Sequence, residues 1–253
     1  MNFEEVFRFI RPAGKKITND CKVVLINHNI CYIIGASTID EIKINSEKQD
    51  FVIAVDAGYS HLEKMGIQAD LVVGDFDSLN CIPDHPHVLR FPPEKDDTDT
   101  MIAVKEGLKR GYRQFILFGC LGNRPDHTYA NFQVLCYLAE KGACGYIIGE
   151  GFVVSAIHNE TMAFPERMKG ILSVFCAGSS AESVYLTGLK YELENYDLTN
   201  TYPIGVSNEF IGKTSHVSVK KGYLIIMWTE EIESLIFRLK NPDEDMKVSF
   251  LNI

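Results

Sequence analysis

Five short apolar runs, each stopped by Gly, Asp or Asn, restrict this chain more than any other feature. They are KVVLIN (22–27), FVIAVD (51–56), DLVVGD (70–75), QFILFG (114–119) and CGYIIG (144–149). Continuous Val/Ile-rich runs of this kind are predicted strands, buried on both faces of a mainly parallel sheet. Helical stretches lie between them. DTDTMIAVKEGLKRG (97–111) spaces Met101, Val104 and Leu108 at i, i+3, i+7, opens on acids and threonines, and closes on Lys109, Arg110 and Gly111. Those are start and stop signals in the expected places. DHTYANFQVLCYLAEKG (126–142) follows Pro125 and ends at Gly142 in the same style. Strand–helix alternation predicts an α/β sheet covered by helices. After about residue 158 the pattern becomes short, partly alternating runs with turns such as AGSS and YPIG, which predicts an antiparallel, sandwich-like β domain. WTEEIESLIFRLKNPDED reads as a short C-terminal helix running into a polar tail. The expected division is 1–157, α/β, and 158–253, β-rich.

The 253 residues suffice for one large domain or two modest ones. The net charge of −9 argues against a non-specific nucleic-acid binder, which needs a basic face. It permits an anionic substrate where a metal cation neutralises the site. The start, MNFEEVFRFI, is acidic and does not read as a signal peptide. No run reaches the ~20 apolar residues of a membrane helix. The seven cysteines are scattered, without Cys-x-x-Cys, and read as reduced thiols of a cytosolic protein. A zinc site lacks its ligand spacing.

In an open α/β sheet, ligands sit beyond the carboxyl ends of the strands, so the residues after each run matter most. Asp56 ends one run. Asp75 and Asp77 end the next, as Asp-x-Asp, which on an extended chain points both acids the same way. Lys95, Asp96, Asp97 and Asp99 stand at a helix start, and Arg124, Asp126 and His127 at another. Singly, such acids are ordinary caps and turn residues, and Asp97 or Thr98 is expected to cap the helix that follows. Together, Asp75, Asp77 and Asp99 would repel strongly without a cation, and a carboxylate set specifies a hard ion, by default Mg²⁺. Gly119 and Gly122 allow close backbone approach. The helix starting near Asp126 offers free N–H groups to an anion. Arg124 reads either as a bidentate phosphate ligand or as half of a loop ion pair with Asp126. Gly74 is read as the small residue that lets chain and phosphate approach. GKT at 212–214 is not a P-loop, because position 207 is Ser rather than Gly and its surroundings are β-rich.

Gly-Asp-Phe-Asp-Ser (74–78), then Lys-Asp-Asp-Thr-Asp (95–99) and Gly-Asn-Arg-Pro-Asp-His (122–127), followed by LTGLKYEL and GVSNEF, resemble the thiamine pyrophosphokinase (thiamine diphosphokinase) family over residues 51 to about 228. The resemblance implies an α/β nucleotide-binding domain followed by a sandwich-like thiamine-binding domain. It also implies a cytoplasmic homodimer with sites between subunits, and transfer of diphosphate from ATP to thiamine with Mg²⁺, releasing AMP. It implies Asp75, Asp77 and Asp99 as metal ligands, with Arg124 and Asp126 also catalytic. Asp56, Gly58, Lys95, Asp96, Thr98, Gly122, Arg124, Asp126 and His127 would form the ATP site. Ser207 and Asn208 would contact thiamine, donated by the other subunit. Where many members have Gly-Gly-Arg, this chain has Asn123, a residue that tolerates left-handed backbone. Which aspartate accepts the hydroxyl proton stays open.

Three rival readings of these residues make different demands on the chain. Asp-x-Asp after a strand also occurs in haloacid-dehalogenase-type phosphatases, with Asp75 as nucleophile. There the next acidic pair lies far downstream, whereas here Asp96 and Asp97 follow after some twenty residues. A non-catalytic thiamine or nucleotide sensor predicts a degenerate acid cluster, and this cluster is intact. A diphosphotransferase acting on another alcohol is opposed by the SNE and GLKY segments through the resemblance alone.

Overall fold

The computed structural model describes residues 29–39, 47–76, 84–91, 96–122 and 124–241. Its first half alternates strands and helices: β1 (Ile30–Ile34), β2 (Phe51–Val55), α1 (Gly58–Met65), β3 (Leu71–Gly74), β4 (Val88–Arg90), α2 (Asp99–Lys109), β5 (Gln114–Phe118), α3 (Pro125–Glu140) and β6 (Cys144–Ile148). The second half is strand after strand: β7 (Val153–His158), β8 (Thr161–Phe164), β9 (Ile171–Cys176), β10 (Ser180–Thr187), β11 (Leu193–Thr199), β12 (Asn208–Glu209), β13 (Ser215–Lys221) and β14 (Tyr223–Trp228). Helix α4 (Ile232–Lys240) follows. The fold class is the expected one, a mainly parallel sheet flanked by helices followed by antiparallel β structure.

Four of the five predicted runs are strands β2, β3, β5 and β6. The fifth, at 22–27, lies outside the described residues. The first described strand is instead ICYII, a run the sequence analysis passed over. It is the central strand of the parallel region, pairing with β2 on one side and β5 on the other. Ile30, Tyr32 and Ile34 face one core and Cys31 and Ile33 the other, all fully buried. A strand covered on both faces leaves no alternation to read.

The larger sheet has ten strands in the order β12-β9-β14-β7-β6-β5-β1-β2-β3-β4. From β6 to β4 every neighbour is parallel, while β7 joins β6 antiparallel and carries the sheet onward. The boundary expected at 157/158 therefore falls at the end of a strand already hydrogen-bonded into this sheet. A second sheet, β11-β10-β13-β8, is antiparallel throughout. Between the two sheets lies an apolar layer centred on Trp228, whose ring meets Phe164 edge-on at 5.2 Å. Gly212, Lys213 and Thr214 run into β13, a strand, so no strand-to-helix phosphate loop forms there.

The buried face of α2 differs from the predicted stripe. Ile102, Ala103, Val104 and Gly107 are buried, while Met101 and Leu108 are only partly covered. The reason is close packing at Gly107, where an added Cβ would lie 2.5 Å from the Phe115 ring and 3.0 Å from Cys31 Sγ. The helix presses its smallest residue onto the sheet, and the stripe rotates to suit. Overpacking of this kind costs about 1–3 kcal/mol. Gly107→Val is expected to lose that much stability in urea melts, with the denaturant slope unchanged.

Candidate active site

Strands β1 to β4 run one way across the sheet and β5 and β6 the other, so the order reverses between β1 and β5. A crevice opens there, beyond the strands' carboxyl ends, as such sheets require. The two chains part slowly: Gly35 N–H donates to Phe118 O at 2.8 Å and Ser37 N–H to Gly119 O at 3.0 Å. A Cβ on Gly35 would sit 2.5 Å from Gly119 O, so the backbones touch and only glycine fits.

The crevice widens into a cleft of about 660 Å³. Its walls come from five places in the chain. The end of β1 supplies Gly35 to Thr38, the ends of β2 and β3 supply Asp56 and Asp75, the start of α2 supplies Asp96 to Thr100, and the β5–α3 junction supplies Gly119, Arg124, His127 and Asn131. Of the expected site residues, Asp56, Asp75, Asp96, Thr98, Asp99, Arg124 and His127 are thus brought together by one chain. Asp77, Lys95 and Asn123 lie outside the described residues. Gly122 and Asp126 flank Arg124 without lining the cleft. Gly58 does not line it either, since the space a Cβ would occupy there is taken by Ile34 O, 1.9 Å away. Ser207 and Asn208 are not brought to the cleft by this chain.

Two helix starts face the cavity. Thr98 caps α2, its hydroxyl accepting from Met101 N–H at 3.2 Å. Asp97 instead pairs with Lys105 at 2.6 Å. Helix α3 begins at Pro125, which fits the first turn because it has no N–H to satisfy. Arg124 grips Asp126 with both prongs, Nε to Oδ1 at 3.0 Å and Nη2 to Oδ2 at 2.7 Å. The Arg124 side chain holds the Asp126 carboxyl well below the usual carboxylate range. Both side chains are about two-thirds exposed, and such pairs contribute little to stability.

The extended backbone expected for Asp-x-Asp is not found at Phe76, and Asp77 lies outside the described residues. Strand β3 ends at Gly74, and Phe76 is left-handed at φ +62° with its ring buried in the core. A kink, not a pleat, sets the direction of the chain after Asp75. Asp56 is left-handed as well, at φ +48°.

The Gly35–Thr38 loop and Asn131 also line the cleft and are not among the site residues expected from the sequence. The signal for the loop was present, an apolar run broken by Gly-Ala-Ser-Thr, but it belonged to the overlooked strand. Asn131 is buried, and its amide donates to Cys120 O at 2.7 Å, tying α3 to the loop after β5. Thr128 accepts from Gly122 N–H at 3.3 Å in the same service. Beneath the cleft, burial pushes the Cys120 thiol up to about 12, so it is no nucleophile at neutral pH.

At the far end of the molecule, Ser207 is left-handed at φ +59° and its N–H donates to Ser173 Oγ at 3.0 Å. The buried Asn208 amide accepts from Tyr191 and Glu209 N–H, both at 2.9 Å, and donates to Tyr191 O at 2.6 Å. Asn208 therefore holds loop to loop and keeps only one amide N–H for anything else.

As metal donors, Asp75 and Asp99 are of the type a hard cation takes, and both residues line the cavity. Among the described residues no three His, Cys, Asp or Glu side chains group closely enough to hold an ion. Asp77, the third member of the expected set, is not among them.

Known proteins match this arrangement in two consecutive parts. The family model "Thiamin pyrophosphokinase, catalytic domain" matches residues 43–146, and "Thiamin pyrophosphokinase, vitamin B1 binding domain" matches 159–224. The chain belongs to the thiamin pyrophosphokinase family. The thiamine pyrophosphokinase of Bacillus subtilis is 28% identical over 189 residues, covering 69% of this chain and 85% of the relative. A crystal structure of thiamine pyrophosphokinase from that organism superposes with a TM-score of 0.72 at 24% identity, over 81% of this chain and all of the other. That of Geobacillus thermodenitrificans gives 0.69 at 25% identity, over 80% and 98%. The chain is thus an enzyme of a family whose activity is ATP-dependent diphosphorylation of thiamine.

Proposed function

We propose that this enzyme transfers the diphosphate of ATP to the hydroxyl of thiamine, releasing AMP, with Mg²⁺ as the required cation. The observation that carries the proposal is the composition of the switch-point cleft. Asp56, Asp75 and Asp99 face Arg124 and two helix starts across one cavity. Acids alone would repel a polyphosphate, and Arg124 with helix dipoles alone would leave the acids unexplained. A divalent cation between acids and phosphates reconciles them.

In this reading Asp75, Asp77 and Asp99 hold the ion, whose charge offsets that developing on the phosphoryl oxygens. The pair of Arg124 and Asp126 opens, and its fork turns to phosphate, at small cost because the pair is exposed. The starts of α2 and α3 turn the positive ends of their helix dipoles to the polyphosphate. His127, Asp96, Thr98 and Lys95 complete the nucleotide contacts. The thiamine hydroxyl oxygen bonds to the β-phosphorus, the bond from that phosphorus to the oxygen it shares with the α-phosphorus breaks so that AMP leaves with that oxygen, and an aspartate of the cleft takes the hydroxyl proton. Positioning and charge neutralisation carry such transfers.

Thiamine recognition is assigned to Ser207 and the remaining N–H of Asn208, presented by residues 158–253 of a second copy to the cleft formed within 1–157 of the first. Two things support a homodimer. Among the described residues this chain's cleft draws none from beyond Asn131, and Tyr191, Tyr202, Ile204, Val206 and Ile211 leave apolar surface exposed around Ser207. Cytoplasmic residence fits the free thiols at Cys31, Cys120, Cys136, Cys144 and Cys176. Among the described residues no helix is long and apolar enough to cross a membrane.

The test is chromatography of ATP, Mg²⁺ and thiamine incubated with purified protein. AMP and thiamine diphosphate are expected in equal amounts, and removal of Mg²⁺ with a chelator should abolish both. AMP that forms equally without thiamine, or inorganic phosphate as the product, overturns the reading.

A further inference from the structure

Asp56 and Asp75 enter the cleft from neighbouring strand ends, and the residue between them is Gly74. A Cβ added there would lie 2.0 Å from Asp56 Oδ1 and 3.0 Å from its Cγ, far inside contact distance. The backbone does not demand glycine, because φ at Gly74 lies outside the left-handed region. The nearest backbone atom, Asp56 N, would be 3.3 Å away, a tight but tolerable approach. What the missing side chain makes room for is thus the carboxylate of Asp56.

We infer that Gly74 is a positioning residue that acts through Asp56: its bare Cα is the seat on which the Asp56 carboxylate lies, and so fixes where that charge stands in the cleft. Asp56 has little other freedom. Its N–H donates to Val73 O at 2.9 Å and its φ of +48° is set by the turn into α1. A methyl at 74 leaves the backbone of Asp56 in place and forces its carboxylate to rotate about χ1, away from β3 and Asp75. The same addition at Gly58 would strike the Ile34 carbonyl, a fixed backbone atom, and damage the fold itself. Gly74 therefore offers what Gly58 does not, a way to move one carboxylate in a folded protein. The small residue of this motif makes room for a neighbouring acid, rather than for phosphate. The inference rests on the reading of Asp56 as part of the nucleotide site.

The test is a cycle of Gly74→Ala, Asp56→Ala and the double variant, with dissociation constants for MgATP from calorimetry, kcat and KM for AMP formation, and thermal melts. Gly74→Ala is expected to raise the MgATP dissociation constant at least tenfold. In the Asp56→Ala background the same change is expected to shift it less than twofold, because the group it displaces is gone. The melts carry the same cycle without ligand. Gly74→Ala should lower the melting temperature in the native background and leave it level or raised in Asp56→Ala. If the single variant does not fold and the double variant does, the inference holds. Equal losses in both backgrounds, in binding or in melting, overturn it, as does native-like MgATP binding by Gly74→Ala. A native enzyme that makes no AMP from ATP and thiamine overturns the proposed function instead, and leaves the melting cycle to decide the coupling.

Discussion

Asp75→Asn is expected to lower kcat/KM for thiamine-dependent AMP formation about 10²- to 10³-fold, the loss typical when one preorganised electrostatic group is removed from a phosphoryl or acyl transfer site. The substitution is nearly isosteric, so the melting temperature should stay within a few degrees. The size follows from the cleft's charge balance. Asp75 lies one residue beyond β3 and lines a cavity that, on the proposed function, must hold a polyanion in a protein already at −9. An amide keeps an oxygen there and removes the charge. Affinity for the cation should suffer first, so the Mg²⁺ concentration giving half-maximal rate should rise at least tenfold, with partial rescue at high Mg²⁺. Full turnover at native Mg²⁺ levels would remove Asp75 from the ion site.

The cleft was legible in the sequence to the extent that strand ends were. Asp56, Asp75, Asp99 and Arg124 follow apolar runs or open helices, and in a parallel sheet all such positions fall on one edge. Strand order was not legible, because it depends on which buried runs pair. With KVVLIN read as the first strand, the ICYII run and its Gly35–Thr38 loop went unnoticed, and that loop forms one wall of the crevice. Other misses share a cause. The stripe of α2 was read from spacing, yet its contact is set by Gly107 fitting against Phe115. Asp-x-Asp was read as pleated strand, yet the buried Phe76 ring holds a left-handed turn there. In each case a tertiary contact selects among local options that periodicity leaves equal.

Arg238→Ala is expected to destabilise the protein by about 3–5 kcal/mol, the cost of leaving one member of a buried ion pair unpartnered. The pair joins the last helix to the sheet. Glu230 is 2% exposed at its side chain, and it accepts from Arg238 Nη2 at 2.8 Å, Trp228 Nε1 at 2.7 Å and Ser234 Oγ at 3.3 Å. Trp228 is the fully buried centre of the layer between the sheets, and Leu235 and Leu239 of α4 belong to the same core as Tyr32. Without the guanidinium, Glu230 keeps only the neutral donors Trp228 Nε1 and Ser234 Oγ in a site closed to water, and α4 loses its charged tether to the sheet. The melting temperature should fall by about 10 °C, given roughly 2–4 °C per kcal/mol for a chain of this size. Glu230→Gln with Arg238→Met, which removes both charges while keeping bulk, should recover most of the loss. A double variant as unstable as Arg238→Ala would show that the hydrogen bonds of the charged pair themselves, rather than the cost of an unpartnered buried charge, account for the effect.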